Sequence, residues 1–63
     1  MIKDRQIDVL RYIALGYSPK ETAERTNLSR TYVNQIMKEM REEAGANTTA
    51  HLVYKAVSEG WIE

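Results

Sequence analysis

The chain has no cysteine, no long apolar run and no excess of charge of either sign. Without cysteine, disulfide bonds, thiolate zinc sites and thiol nucleophiles are excluded. The absence of an apolar stretch of about 18 residues predicts no membrane span, and the charged start of the chain predicts no signal peptide. We therefore expect a soluble, cytoplasmic protein that does not contact a membrane.

The charge balance argues against strong binding to nucleic acid. Nine Lys and Arg residues balance nine Asp and Glu residues, whereas nucleic-acid-binding domains usually carry a basic excess. The charges are unevenly placed, however, with five basic and three acidic residues between Lys20 and Arg41. The other end is acidic, with Glu42, Glu43, Glu59 and Glu63. This mild polarity remains compatible with a nucleic-acid partner.

A chain of 63 residues builds one small core, and no repeat, linker or low-complexity tract divides it. We expect a single domain over residues 1–63 with no separate sensor domain. No nucleophile lies at a plausible spacing from a base, no glycine-rich phosphate loop is present, and His51 has no cysteine near it. The sequence thus predicts a protein that is not an enzyme and has neither a metal site nor a cofactor.

Apolar residues recur at helical spacing in four segments, and no segment alternates with the period of two that a strand needs. The expected helices cover residues 4–15, 19–26, 30–44 and 49–59. The predicted fold class is therefore all-α, a compact four-helix domain.

Capping residues mark where the helices begin and end. Ser18, Pro19 and Glu21 combine a capping hydroxyl, a first-turn proline and a capping-box glutamate, and Ser29 caps the third segment. Helix ends are expected at Gly16, Asn27, Gly45 and Gly60. The residues expected to face the core are Ile7, Leu10, Ile13, Ala14, Thr22, Ala23, Thr26, Val33, Ile36, Met37, Met40, Ala44, Leu52, Val53, Ala56 and Val57, with Trp61 and Ile62 folding back as a lid.

The second and third segments fit a DNA-binding helix-turn-helix, which is a short helix, a tight turn and a longer helix. Ala23 supplies the small residue where the helices cross, and Asn27 supplies a left-handed turn position. Leu28, Val33 and Ile36 supply the apolar contacts that hold the longer helix against the core. The alternative is an ordinary antiparallel helix pair in a small bundle.

The outer face of the third helix carries no acidic residue in the stripe formed by Arg30, Thr31, Asn34, Gln35, Lys38 and Arg41. Amide, ammonium and methyl groups of this kind recognise base edges in the major groove. We expect base contacts from Thr31, Asn34, Gln35 and Lys38. Phosphate contacts are expected from Ser18, Lys20, Arg30, Tyr32 and Arg41. The alternative is a solvated polar face, with Ser18 acting only as a cap and Tyr32 covering the core edge.

The fourth helix offers a possible dimer contact. Its face opposite the core stripe carries His51, Tyr54, Lys55 and Ser58, and an exposed tyrosine there suits a two-fold interface. Scattered surface aromatics also occur without any such role. A dimer would place two recognition helices on two half-sites about one turn of DNA apart.

Nearly the whole chain resembles the LuxR/GerE-type helix-turn-helix domain. The matching residues are Val9, Leu10, Gly16, Ser18, Lys20, Glu21, Ala23, Ser29, Val33 and Gly45. The resemblance implies a four-helix fold, a cytoplasmic transcription regulator and a dimer formed through the fourth helix, with bases contacted by Asn34, Gln35 and Lys38. Departures at Tyr32, Asn34, Ile36, Ala44 and Thr49 include two lost basic residues, which implies weaker phosphate binding.

Two functions follow from these observations. The first is a sequence-specific DNA-binding transcriptional regulator that inserts its third helix into the major groove of double-stranded DNA as a homodimer. The alternative is a degenerate helix-turn-helix that acts as a protein-interaction module and binds another regulator or RNA polymerase. The neutral charge favours the second function, and the polar, well-capped third helix favours the first.

Overall fold

The computed structural model describes residues 4–62 and contains four α-helices. They are α1 (Asp4–Ala14), α2 (Pro19–Thr26), α3 (Arg30–Ala44) and α4 (Thr49–Ser58). No strand occurs in this part of the chain. The predicted all-α fold class is therefore confirmed, and only the ends of α1 and α4 differ from expectation, each by one residue.

Hydroxyl side chains begin three of the helices, because the first amides of a helix have no partner inside it. The Ser18 hydroxyl oxygen accepts from the Glu21 amide at 3.1 Å, while a Glu21 carboxylate oxygen accepts from the Ser18 amide at 3.0 Å, which completes the predicted capping box. Ser29 caps α3, because its hydroxyl oxygen accepts a hydrogen bond from the Tyr32 amide at 3.0 Å. Thr48 caps α4 in the same way. The predicted helix starts are thus confirmed.

Each of the four helices is followed by a residue with positive φ. The amide of the next residue then donates a hydrogen bond to a carbonyl five residues earlier, in the last turn of the helix. In α2, Asn27 has φ 60° and the next amide, that of Leu28, donates to the Ala23 carbonyl at 3.0 Å. This is the Schellman arrangement. The corresponding positions in the other helices are Gly16, Gly45 and Gly60. Asn27 is the one non-glycine residue with positive φ between residues 4 and 62.

The core lies where α3 contacts the other helices. Its ten buried apolar side chains are Val9, Leu10, Ala23, Val33, Ile36, Met37, Met40, Leu52, Ala56 and Ile62. Ile7, Ile13, Ala44 and Val53 are partly buried against this cluster. Of the two threonines expected to face the core, Thr22 is buried and Thr26 is partly buried. Most of the expected core is therefore confirmed.

Two of the expected core positions are wrong. Ala14 is exposed, because the buried face of α1 runs through Gln6, Val9 and Leu10, about one position away from the face expected from sequence. Val57 is half exposed, at 50%, because Leu52 and Ala56 form the buried face of α4. Helical periodicity finds an apolar stripe but does not determine which edge of the stripe meets the neighbouring helix.

The segment after α4 closes the core, as the predicted lid requires. The Trp61 and Ile62 amides both donate to the Ala56 carbonyl, at 2.8 and 3.4 Å, so the chain turns back over the end of the helix. Ile62 is buried and Trp61 is partly buried against the core. The lid is confirmed, with Ile62 as its buried side chain.

Two threonines of α2 differ in how their hydroxyl groups are satisfied. The Thr26 hydroxyl donates to the Thr22 carbonyl oxygen at 2.7 Å. The Thr22 side chain is completely buried, yet its hydroxyl oxygen has no hydrogen-bond partner. A buried polar group without a partner costs free energy, whereas an apolar group of the same shape does not.

We therefore expect Thr22→Val to raise the free energy of unfolding by about 1 kcal/mol, because it removes an unsatisfied hydroxyl and keeps the branched shape. The matched variant Thr26→Val removes a hydrogen bond that exists, so it should leave stability unchanged or lower it. Urea unfolding followed by circular dichroism measures both. A Thr22→Val protein less stable than the original chain would contradict this account.

Candidate nucleic-acid interface

The turn between α2 and α3 determines which face of α3 points outward. It consists of residues 27–29, the length predicted from sequence. Ala23 is buried at the helix crossing, and Leu28 is partly buried against the core. With Val33 and Met40 of α3 fully buried, the opposite face of that helix is directed away from the rest of the chain. The expected helix-turn-helix geometry is therefore present.

All four residues predicted to contact bases lie on this outward face. Thr31, Asn34, Gln35 and Lys38 are exposed, and none is covered by another part of the described chain. The major groove of DNA admits an α-helix, and side chains on one exposed face of that helix can then reach the base edges. The structure thus brings together, on one exposed face, the four side chains that the sequence suggested.

One of the four is engaged by a residue that the sequence interpretation did not include. The Gln35 side-chain amide donates to a Glu39 carboxylate oxygen at 3.1 Å. A glutamine that recognises adenine uses both its amide donor and its carbonyl acceptor. Gln35 must therefore leave Glu39 before it can do so. The signal for this contact was present in the sequence as an i, i+4 pair, which is the spacing of neighbours on a helix surface.

The residues predicted to contact phosphates differ in their exposure and in how many of their polar groups are already hydrogen-bonded within the protein. Lys20, Arg30 and Tyr32 are exposed, and Arg41 is partly buried. Ser18 is more restricted, because its amide and hydroxyl oxygen both take part in the capping box with Glu21. Its hydroxyl hydrogen is the donor left for an anion.

The Glu21 carboxylate also lies in the first turn of α2, and the N-terminal end of a helix dipole attracts anions. Its pKa is lowered, chiefly because it accepts a hydrogen bond from the Ser18 amide, with a further contribution from the Ser18 side chain. The start of α2 is thus partly neutralised by the protein's own carboxylate.

Three of the four α4 residues predicted to form the dimer interface are exposed, as an interface requires. His51, Tyr54 and Ser58 are exposed, whereas Lys55 is partly buried. His51 also has a local structural role, since its Nδ1 atom accepts from the Asn47 amide at 3.4 Å. The sequence interpretation missed Val57, which it assigned to the core.

Tyr54 and Val57 are large apolar side chains exposed on α4, at 69% and 50%. They lie three residues apart and therefore on adjacent positions of the helix surface. This apolar pair is a better centre for an interface than the polar residues His51 and Ser58.

Two further properties concern only residues 4–62. No helix there is long and apolar enough to cross a membrane. No group of three or more His, Asp or Glu side chains there is placed to hold a metal ion. The expectations of a single domain, a cytoplasmic location and no enzymatic activity stay predictions.

A profile of the family described as winged helix-turn-helix DNA-binding matches residues 2–43, which is well over half of the chain. The chain belongs to this family of helix-turn-helix DNA-binding domains. The match includes α1, α2 and nearly all of α3, so the turn and the outward face of α3 both lie within it. Neither a curated protein nor a solved structure matches the chain significantly.

The family is named for a wing, yet α4 follows α3 directly in this helix-turn-helix protein, and no strand is present between residues 4 and 62. The family match ends before α4 begins. Membership in the family supports DNA binding by a regulator, whereas the contact residues and the dimer remain proposals.

The lowered pKa of Glu21 leads to a prediction about stability and pH. A carboxylate with a lowered folded-state pKa adds stability above its unfolded pKa and loses that contribution as the pH falls through the folded value. Glu21→Gln retains a capping side chain but cannot titrate. The original chain should therefore be the more stable of the two at neutral pH, and the difference should vanish on acidification.

Thermal unfolding between about pH 7 and pH 3 measures this difference. Glu24→Gln is the matched control, since Glu24 is an exposed glutamate of the same helix outside the capping box. An equal stability difference at both ends of the pH range would disprove the assignment to Glu21.

Proposed function

We propose that this protein is a sequence-specific transcriptional regulator that inserts α3 into the major groove of double-stranded DNA as a homodimer. The observation that carries the proposal is the outward, non-acidic set of Thr31, Asn34, Gln35 and Lys38 on a helix whose opposite face is buried. Family membership supports DNA as the partner.

Each of these side chains has a chemical role in the proposal. Asn34 and Gln35 carry amides that pair with the edge of adenine, and the Lys38 ammonium group donates to the acceptors of guanine. The Thr31 methyl group contacts a thymine methyl. Lys20, Arg30, Tyr32 and Arg41, with the Ser18 hydroxyl, hold the phosphates and so set the register of the helix in the groove.

The more specific part of the proposal is an arrangement of the LuxR/GerE type, with α4 as the dimer helix. It is supported by the position of α4 directly after α3, where a winged domain would have strands, and by the apolar pair on α4. The interface we propose centres on Tyr54 and Val57, with His51, Lys55 and Ser58 around them. A two-fold dimer through one helix gives two copies of α3 the same relation to a palindromic site.

The experiment that tests the function is the selection of bound duplexes from a random DNA pool at physiological salt. Enrichment of a palindrome supports both sequence recognition and the dimer. A pool that stays random after several rounds would refute the proposal. It would favour the interaction module for RNA polymerase or another regulator, which the neutral net charge and the exposed Tyr32 and Tyr54 also suit.

Single substitutions of Asn34, Gln35 or Lys38 by Ala should each cost about 1–3 kcal/mol of binding to the selected duplex, while the helical content and unfolding temperature stay the same. Fluorescence anisotropy of a labelled duplex measures the binding. Unchanged affinity in all three variants would exclude this face from base recognition.

The substitution Glu39→Gln should have the opposite effect on DNA binding. It removes a negative charge from α3 and weakens the hydrogen bond that Gln35 donates to residue 39. We expect it to raise DNA affinity severalfold, about 1 kcal/mol. Glu43→Gln, on the same helix, is its control for the loss of charge alone. Equal gains in the two variants would show that charge, and not release of Gln35, is responsible.

The dimer interface is tested by charge substitution on α4. Tyr54→Glu and Val57→Glu should each shift the protein towards the monomer in sedimentation velocity runs, because a carboxylate is costly in an apolar contact. Ser58→Glu, at the edge of the proposed interface, should have a much smaller effect. Identical sedimentation of all three variants and the original chain would remove α4 from the interface.

A further inference from the structure

An apolar cleft with a basic rim lies beside the proposed base-contacting face. Its volume is about 570 Å³, and it opens between the end of α1, the start of α2, the middle of α3 and the start of α4. Ile13, Pro19 and Met37 provide apolar lining, and Tyr17 lies beside them. Its size falls within the range of small-molecule pockets, which extends from about 300 to 1,000 Å³.

The polar groups at this cleft carry positive charge without a counter-charge. Lys38 and Arg41 line it together with Asn34, and no carboxylate is among the lining residues. Neither cation forms an ion pair with any group in residues 4–62, where Arg11 with Asp8 at 3.8 Å is the pair present. Two unpaired cations beside an apolar surface attract an anion that also has an apolar part.

A second cleft of similar volume, about 590 Å³, shows the contrast. It is lined by several arginines, yet Asp8 is among its lining residues and pairs with Arg11. A further arginine there, Arg25, lies 4.3 Å from the centre of the Tyr17 ring in a cation–π contact. The cations of the second cleft are thus partly engaged within the protein, whereas Lys38 and Arg41 of the first are not.

We propose that the first cleft binds a small organic anion, namely a carboxylate attached to an aromatic or branched aliphatic body. The carboxylate pairs with Lys38 and Arg41, and the body packs against Ile13, Met37 and Tyr17. A bare inorganic anion would leave this apolar lining in contact with water, so the apolar body is part of what the cleft selects.

Occupancy of the cleft has a consequence for DNA binding that rests on the function proposed above. Asn34 and Lys38 belong both to the cleft and to the proposed base-contacting set. A ligand and a DNA duplex that need the same side chains exclude each other. A bound organic anion would therefore release the protein from its operator.

Binding to the cleft is tested first without DNA, by titrating the ¹⁵N-labelled protein with 2-naphthoate. We expect amide shifts at Gly16, Asn34 and Thr49, which line the cleft. The neutral analogue 2-naphthamide should bind about tenfold more weakly, because it lacks the charge. Acetate and inorganic phosphate should also bind at least about tenfold more weakly, because they lack the apolar body.

Three results would overturn the proposal: no shift at the cleft, equal binding of naphthoate and naphthamide, or phosphate binding as tightly as naphthoate. Lys38→Gln and Arg41→Gln should each weaken naphthoate binding about tenfold. Arg5→Gln, an exposed arginine outside the cleft, is the control and should bind as the original chain does. Circular dichroism verifies that the variants are folded. An equal loss of naphthoate binding in all three variants would also overturn the site.

The competition is tested with the duplex obtained by selection. Naphthoate at ten times its dissociation constant should lower DNA affinity about tenfold, and naphthamide at the same concentration should lower it only about twofold. Naphthoate that saturates the cleft without lowering DNA affinity would overturn the competition. If no duplex is bound at all, the proposed function fails while the DNA-free titration still decides whether the cleft binds an anion.

Discussion

The left-handed turn at Asn27 is the constraint on which the rest of the structure depends. Its φ of 60° lets the Leu28 amide close the end of α2, and α3 then begins at Arg30, directly after its Ser29 cap. Glycine adopts this conformation without steric cost, whereas asparagine is among the few other residues that tolerate it. Because the turn is this short, the buried contact at Ala23 determines how α3 crosses α2, and hence which of its side chains face outward.

The base-contacting residues proposed on α3 bury no side chain in the core, and one of them, Gln35, is hydrogen-bonded to a carboxylate of the same helix. Glu39 accepts from Gln35, and Glu21 accepts from the Ser18 amide at the start of α2. DNA binding through Gln35 would exchange its hydrogen bond to Glu39 for a contact to a base, whereas the capping box can stay intact because the Ser18 hydroxyl hydrogen is left to donate to a phosphate. The equal numbers of acidic and basic residues suit a regulator whose affinity for non-specific DNA is modest.

The two sides of the fourth helix differ in burial. Leu52 and Ala56 are buried in the core that α4 shares with the other helices, and Ile62 covers its end. The opposite side leaves Tyr54 and Val57 in solvent. Small domains bury a limited part of their surface, so a second copy of the chain on this side would add stability as well as a second recognition helix.

Sequence by itself determined the helix limits, the caps and the turn, because hydrogen bonds between residues a few positions apart produce them. Ser18 with Glu21 and the left-handed Asn27 are examples. Only the tertiary structure decided that Gln6 and Val9 are buried while Ala14 is not, that Val57 faces solvent, and that Lys38 and Arg41 border an apolar cleft. Those properties depend on how whole helices cross, which is set by the packing of many side chains and not by the period of one helix.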